Sequence, residues 1–105
     1  MTYETALTAL ADPSRRRIFE TLRECPKTVS DIARRQPISR PAVSQHLKVL
    51  QDAGLVSVRP RGTARYYGVR REGLAELRTY LDTFWNDVLA AYADEVRKHM
   101  GEDDG

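Results

Sequence analysis

The sequence lacks most of what an enzyme, a secreted protein or a membrane protein would need. It has a single cysteine, Cys25, so no disulfide can close within the chain, and a reducing, cytoplasmic setting is expected. No apolar run is long enough to span a bilayer, and no charged stretch leading into a long apolar one suggests a secretory signal. The two histidines, His46 and His99, are far apart, and no glycine-rich phosphate loop is present. No nucleophile, base and orienting residue can be grouped, so an enzyme is not expected and no cofactor is implied. With 105 residues there is room for one small domain whose modest core favours oligomerisation.

Acidic residues are also scarce where it matters. Residues 13–71 hold 14 arginines and lysines against 4 acids, a net +10, whereas residues 72–105 hold 3 basic and 9 acidic residues, a net −6. The overall charge of +2 hides this division. A polyanionic partner is expected on the middle segment, with the ends left for another task.

The stretch Ile38 to Leu50, ISRPAVSQHLKVL, reads as the functional element. Ser39 is a good N-cap and Pro41 fits the first turn, where a missing N–H costs nothing. Val43, Leu47 and Leu50 form one apolar stripe, and Arg40, Ser44, Gln45 and Lys48 occupy the other face. Hydroxyl, amide and ammonium side by side match base edges and phosphates in a major groove, although an ordinary amphipathic surface helix would share the pattern. Thr28 and Asp31 have capping-box spacing, so 28–53 reads as helix, tight turn, recognition helix. After Gly54 the period changes: residues 55–59 and 64–69 read as strands around a turn at Pro60 to Thr63, forming a wing that carries Arg59, Arg61 and Arg65. Tyr67 and Val69 should face the core; the role of Tyr66 is open.

Two further segments flank this unit. Tyr3 to Leu10 is a short amphipathic helix, followed by a second helix capped by Asp12 and started by Pro13. Arg15, Arg16 and Arg17 oppose that helix's dipole, which calls for either an anionic partner or acidic neighbours. Glu72 to about Lys98 reads as one long helix, with Leu74, Leu77, Leu81, Phe84, Val88 and Tyr92 in a stripe that Trp85, Leu89 and Val96 widen. So small a core cannot cover about seven turns of apolar face. A homodimer interface is therefore expected from Tyr3, Leu7 and Leu10 with Leu77, Leu81, Phe84, Trp85, Val88 and Tyr92. Residues 101–105 are expected to be a disordered tail.

The run ISRPAVSQHLKVLQDAGLV, followed by a strand, RGTARYY and a closing helix, resembles the ArsR family of bacterial winged helix-turn-helix regulators. LADPSRRRIFETL resembles that family's opening segment. The resemblance covers residues 3–100 and is most specific at Ser39, Val43, Ser44, His46, Leu47 and Leu50. It implies a mainly α fold with a small β-hairpin and a homodimer joined through its first and last helices. It also implies repression of a promoter, with two recognition helices in successive major grooves of double-stranded DNA. The expected DNA contacts are Ser39, Arg40, Ser44, Gln45, His46 and Lys48 from the helix and Arg61 and Arg65 from the wing. Gln45 is the leading base reader, because its amide can pair with adenine in bidentate fashion.

The departures from the family are informative too. Metal-sensing members carry a C-V-C thiolate pair where this chain has Thr28 and Ser30. The last helix offers Asp82, Asp87, Asp94 and His99 without paired histidines, so no metal site is expected. Two alternatives stay open: a winged helix that binds only proteins, and a redox-sensing regulator acting through Cys25, whose neighbours Arg23 and Lys27 would lower its pKa.

Overall fold

Three helices of this chain begin where a side chain can accept the N–H groups that a first turn leaves unpaired. The structure, a computed structural model, describes residues 3–103. Among these, α1 (Tyr3–Ala11) is followed by α2 (Pro13–Thr21), α3 (Val29–Arg35) and α4 (Arg40–Asp52). The strands β1 (Val56–Arg61) and β2 (Ala64–Val69) then lead into α5 (Arg71–Asp103). Asp12 caps α2 by accepting the Arg15 N–H at 3.0 Å. Thr28 and Asp31 cap α3 reciprocally: the Thr28 hydroxyl accepts from the Asp31 N–H at 3.1 Å, and the Asp31 carboxylate from the Thr28 N–H at 3.2 Å. Ser39 caps α4 through the Ala42 N–H at 3.4 Å.

The far end of α4 is equally well defined. Gly54, at φ 80°, donates to the Gln51 carbonyl and Leu55 to the Leu50 carbonyl, both at 3.0 Å. This pair of bonds closes a Schellman stop that needs a residue comfortable in the left-handed region. Leu50 and Leu55, bracketing the stop, are both fully buried.

The core gathers Ala6 and Ala9 of α1, Ile18 and Leu22 near α2, Ile32 of α3, and Val43, Leu47 and Leu50 of α4, joined by Leu55 and Val56. α4 lies at the centre of this packing, against α1, α2, α3 and β1. Two arginines of the run find backbone partners rather than acidic side chains. Arg15 and Arg16 donate to the Ala9 and Leu10 carbonyls at 3.1 and 3.0 Å. They cap the C-terminal end of α1, where the helix dipole favours a cation.

The hairpin is tighter than expected, because Pro60 and Arg61 belong to β1. Its register pairs Val56 with Val69 and Arg61 with Ala64, around Gly62 at φ 64°. β1 is the free edge, where proline is tolerated. β2 is held on its other side by Lys27, whose N–H donates to the Tyr67 carbonyl at 2.9 Å and whose carbonyl accepts the Tyr67 N–H at 2.8 Å. The 24–27 stretch, which reads in sequence as a simple break, thus ties the wing to the end of α2.

The start of α5 crosses the stop of α4. Arg70 donates its N–H to the Leu55 carbonyl at 2.8 Å and its guanidinium to the Gly54 carbonyl at 3.3 Å. A Cβ on Gly73 would fall 2.0 Å from the Gly54 carbonyl oxygen. Beyond this crossing α5 runs out into solvent. The radius of gyration is 19.8 Å, against about 13 Å for a compact chain of this length, and the long dimension is 74 Å. The helix passes the expected end near Lys98 and continues through Asp103, so the expected tail is helical over 101–103. Its last two residues, 104 and 105, lie outside the described residues.

Replacing Gly73 with alanine should therefore destabilise the fold by about 2 kcal/mol or more, since the neighbouring atom is backbone and cannot swing aside. Thermal unfolding by circular dichroism checks this, and an alanine variant as stable as the parent would contradict the crossing.

Candidate nucleic-acid interface

α4 is two-faced because its helical period puts Val43, Leu47 and Leu50 on one stripe, and all three are fully buried. The opposite face stands in solvent: Ser39, Arg40, Ser44, Gln45 and Lys48 are exposed. Ser44, Gln45 and Lys48 are thus presented together by a helix whose own position is fixed from behind. Val49, four residues after Gln45 and 39 % exposed, adds apolar surface to this face that the sequence analysis does not single out. Its signal was available, since Val49 falls off the buried stripe.

His46 stands apart from that group. It is half-buried on the flank of the packed stripe and is one of the groups that act on Asp12 at the start of α2. The Asp12 carboxyl is held below its ordinary value of 3.8, first by the Arg15 backbone N–H, then by the Ser14 backbone N–H, Arg15 and His46, against some desolvation. Asp31 is lowered likewise by the Thr28 backbone N–H and hydroxyl, with Arg34 adding to the effect. Both cap carboxylates are therefore held in the charged form that accepts those hydrogen bonds.

The wing separates its arginines. The register places Ser57, Arg59 and Arg61 on one face with Tyr66 and Gly68, while Arg65 pairs with Pro60 on the other face. Arg61 and Arg65, both exposed, hence leave the tip in opposite directions. The Arg61 guanidinium lies 6.0 Å from the centroid of the Tyr66 ring, which gives Tyr66 a place beside the basic tip. Tyr67 and Val69 pack against the core.

The residues expected at a dimer interface divide into two groups. Leu10 packs against its own core and Leu77 is half-buried. Tyr3 stacks on Tyr80 of α5, with ring centroids 4.1 Å apart and planes 8° from parallel. Leu7, Leu81, Phe84, Trp85, Val88 and Tyr92 are exposed, with Phe84 at 59 % and Trp85 at 60 %. Cys25 is exposed as well, and its Sγ accepts from Nζ of the buried Lys27 at 3.2 Å. No helix of the described residues is long and apolar enough to cross a membrane.

A helix packed from behind, a basic two-stranded wing directly after it and a long outer helix define a winged helix-turn-helix protein. A helix-turn-helix domain family model matches residues 10–59. The HTH-type transcriptional regulator Rv2034 of Mycobacterium tuberculosis is 54% identical over 93 residues, covering 89% of this chain and 87% of its own length. The transcriptional repressor SdpR of Bacillus subtilis is 33% identical over 78 residues, covering 74% of this chain and 87% of its own. An ArsR-like transcriptional regulator from Rhodococcus sp. RHA1 superposes with a TM-score of 0.74 at 30% identity, covering 86% of this chain and 88% of that one. The chain belongs to the ArsR family of winged helix-turn-helix transcriptional regulators, and it is a DNA-binding regulator.

The lowered cap carboxylates set a pH dependence. A folded-state value below the unfolded one contributes stability that is complete above the unfolded pKa and is lost as pH falls through the folded one. Stability should therefore fall on acidification below about pH 4. Asp12→Asn and Asp31→Asn, which keep a capping oxygen, should each flatten that acid limb. Thermal midpoints measured across the acid range check this, and an unchanged slope in both variants would contradict it.

Proposed function

We propose that the protein is a homodimeric transcriptional repressor whose DNA binding does not depend on a metal. The observation that carries this reading is the exposed Ser44–Gln45–Lys48 face of α4, held by a buried stripe directly behind it. In this reading residues 28–53 are the reading unit and 55–69 the wing, while residues 1–11 and 72–98 join two copies. Gln45 reads a base edge, and Val49 offers an apolar contact to a thymine methyl beside it. Ser39, Arg40, Ser44 and Lys48 hold the helix in the groove, largely through phosphates. His46, on the flank, meets the backbone from the half-buried side. Arg61 and Arg65, leaving the wing tip in opposite directions, straddle the sugar–phosphate edge.

Dimerisation is supported by the uncovered apolar stripe of α5. Leu81, Phe84, Trp85, Val88, Leu89 and Tyr92 are each more than two-fifths exposed, on an arm that protrudes from the domain. A second copy covers such a stripe symmetrically, and Leu7 extends it onto α1. The two recognition helices would then address half-sites about 34–36 Å apart. Metal independence is supported by Thr28 and Ser30 at the family's thiolate positions, where Thr28 is occupied in capping α3. Repression follows the family likeness and the repressor among the relatives.

Gln45→Ala should lose roughly 1–3 kcal/mol on the preferred operator and little on random duplex. Equal losses on both would remove Gln45 from base reading. Phe84→Glu together with Trp85→Glu should give a folded monomer by analytical ultracentrifugation, with sharply weaker operator binding. A variant that stays dimeric would move the interface elsewhere. Binding to the chain's own upstream DNA at two salt concentrations, with and without zinc, tests the whole reading. Selective, salt-sensitive and zinc-indifferent binding supports it, whereas absent salt dependence would favour a protein partner.

A further inference from the structure

The outer face of the wing, the one carrying Arg59 and Arg61, borders a groove of about 930 Å³. Its floor is the cross-strand pair of small residues Ser57 and Gly68, with the Pro26 ring packed over Gly68 so that the open part lies at Ser57. A Cβ on Gly68 would lie 3.2 Å from Cγ of Pro26, which makes Gly68 the closed end of that floor. The facing wall is the end of α2 and the connection after it, with Phe19 and Leu22 supplying apolar surface, and Leu74 at the start of α5 completes the lining. Tyr66 stands beside the floor on the wing side.

The charge around this groove is lopsided. Arg23, Arg59, Arg61 and Arg71 line it, against Glu20 and Glu24. A guanidinium presents a planar fork that matches a carboxylate with two parallel hydrogen bonds. An apolar hollow of this size with a few polar groups at its margin has the usual form of a small-molecule site. The apolar lining disfavours a bare inorganic anion, and the arginines disfavour a neutral hydrocarbon.

We propose that this groove binds a small organic carboxylate with an apolar body, and that its occupancy weakens the hold of the wing on DNA. The carboxylate lies between Arg59 and Arg61, which share a face two residues apart, and the body covers Ser57 toward Phe19 and Leu74. Arg61 then has two competing anions, the ligand and a DNA phosphate. By linkage, each weakens binding of the other by the same factor. The effect on DNA rests on the reading of the wing given above, whereas ligand binding itself does not.

Cys25 supplies the assay, because it is exposed, lines the same groove and is the only thiol in the chain. The rate of maleimide labelling of the full chain, without DNA, is measured with decanoate, with 2-naphthoate and with decan-1-ol. At least one carboxylate should slow labelling several-fold, decanol should not, and the pair distinguishes aliphatic from aromatic bodies. Arg59→Glu, which reverses the charge at the head, and Ser57→Trp, which fills the floor, should each abolish the protection. Protection by neither carboxylate, equal protection by decanol, or protection that survives both substitutions would overturn the site. Labelling that slows with protein concentration alone would put a second copy in the groove and overturn it too.

A second measurement addresses the coupling. The protecting carboxylate should weaken operator binding of the parent chain by roughly tenfold and leave that of Ser57→Trp unchanged. Protection at Cys25 with unaltered DNA affinity would overturn the coupling. Absence of DNA binding before any ligand is added would count against the repressor reading instead, with the labelling result still deciding the groove.

Discussion

Gly73 passes so close to the Gly54 carbonyl that a methyl group there would overlap it, and that crossing sets the angle between reader and arm. The Schellman stop ends α4 at one point, and Arg70 then holds the start of α5 to the same two residues, Gly54 and Leu55. A winged-helix regulator needs its recognition helix at a fixed angle to the element that joins it to a second copy. Here that angle is set by backbone against backbone, which cannot relax through rotamer changes as a side-chain contact can. The buried faces of Leu50 and Leu55 hold the crossing from inside.

The division of charge and of apolar surface follows from this arrangement. The +10 segment is folded into a unit whose apolar residues meet one another, which leaves most of its arginines and lysines at the surface, Lys27 being the buried exception. The acidic segment becomes an arm whose stripe is left uncovered by its own chain. Like charge keeps the arm away from a polyanion, while its apolar stripe favours a second copy of itself. The same separation leaves the outer face of the wing open, between a basic margin and an apolar wall.

Local sequence was most informative where capping chemistry decides structure. Asp12, Thr28 with Asp31, Ser39 and Gly54 each act within a few residues of themselves, so their roles could be read without any tertiary information. The same holds for the α4 stripe and for the exposed Ser44, Gln45 and Lys48, which are fixed by helical period once Val43, Leu47 and Leu50 are buried. The cap that Arg15 and Arg16 place on α1 was not legible in the sequence because its acceptors are not side chains. The free carbonyls of α1 have no sequence signature, and they meet Arg15 and Arg16 only because α1 and α2 turn back on each other.

What the sequence determined by itself was the set of elements, their order, the basic middle and the unpartnered length of the last helix. All of these depend on periods and on neighbours a few residues away. Only the tertiary structure decided what distant segments do to one another. Lys27 became a one-residue bridge beside Tyr67, Tyr3 stacked on Tyr80, and Arg61 and Arg65 were sent to opposite faces by a β1 that runs two residues further than the strand pattern suggested. His46 came within electrostatic reach of Asp12, and the small pair Ser57 and Gly68 became the floor of a groove. Such outcomes depend on which surfaces meet when the core closes, and backbone hydrogen bonding between segments carries no residue code of its own.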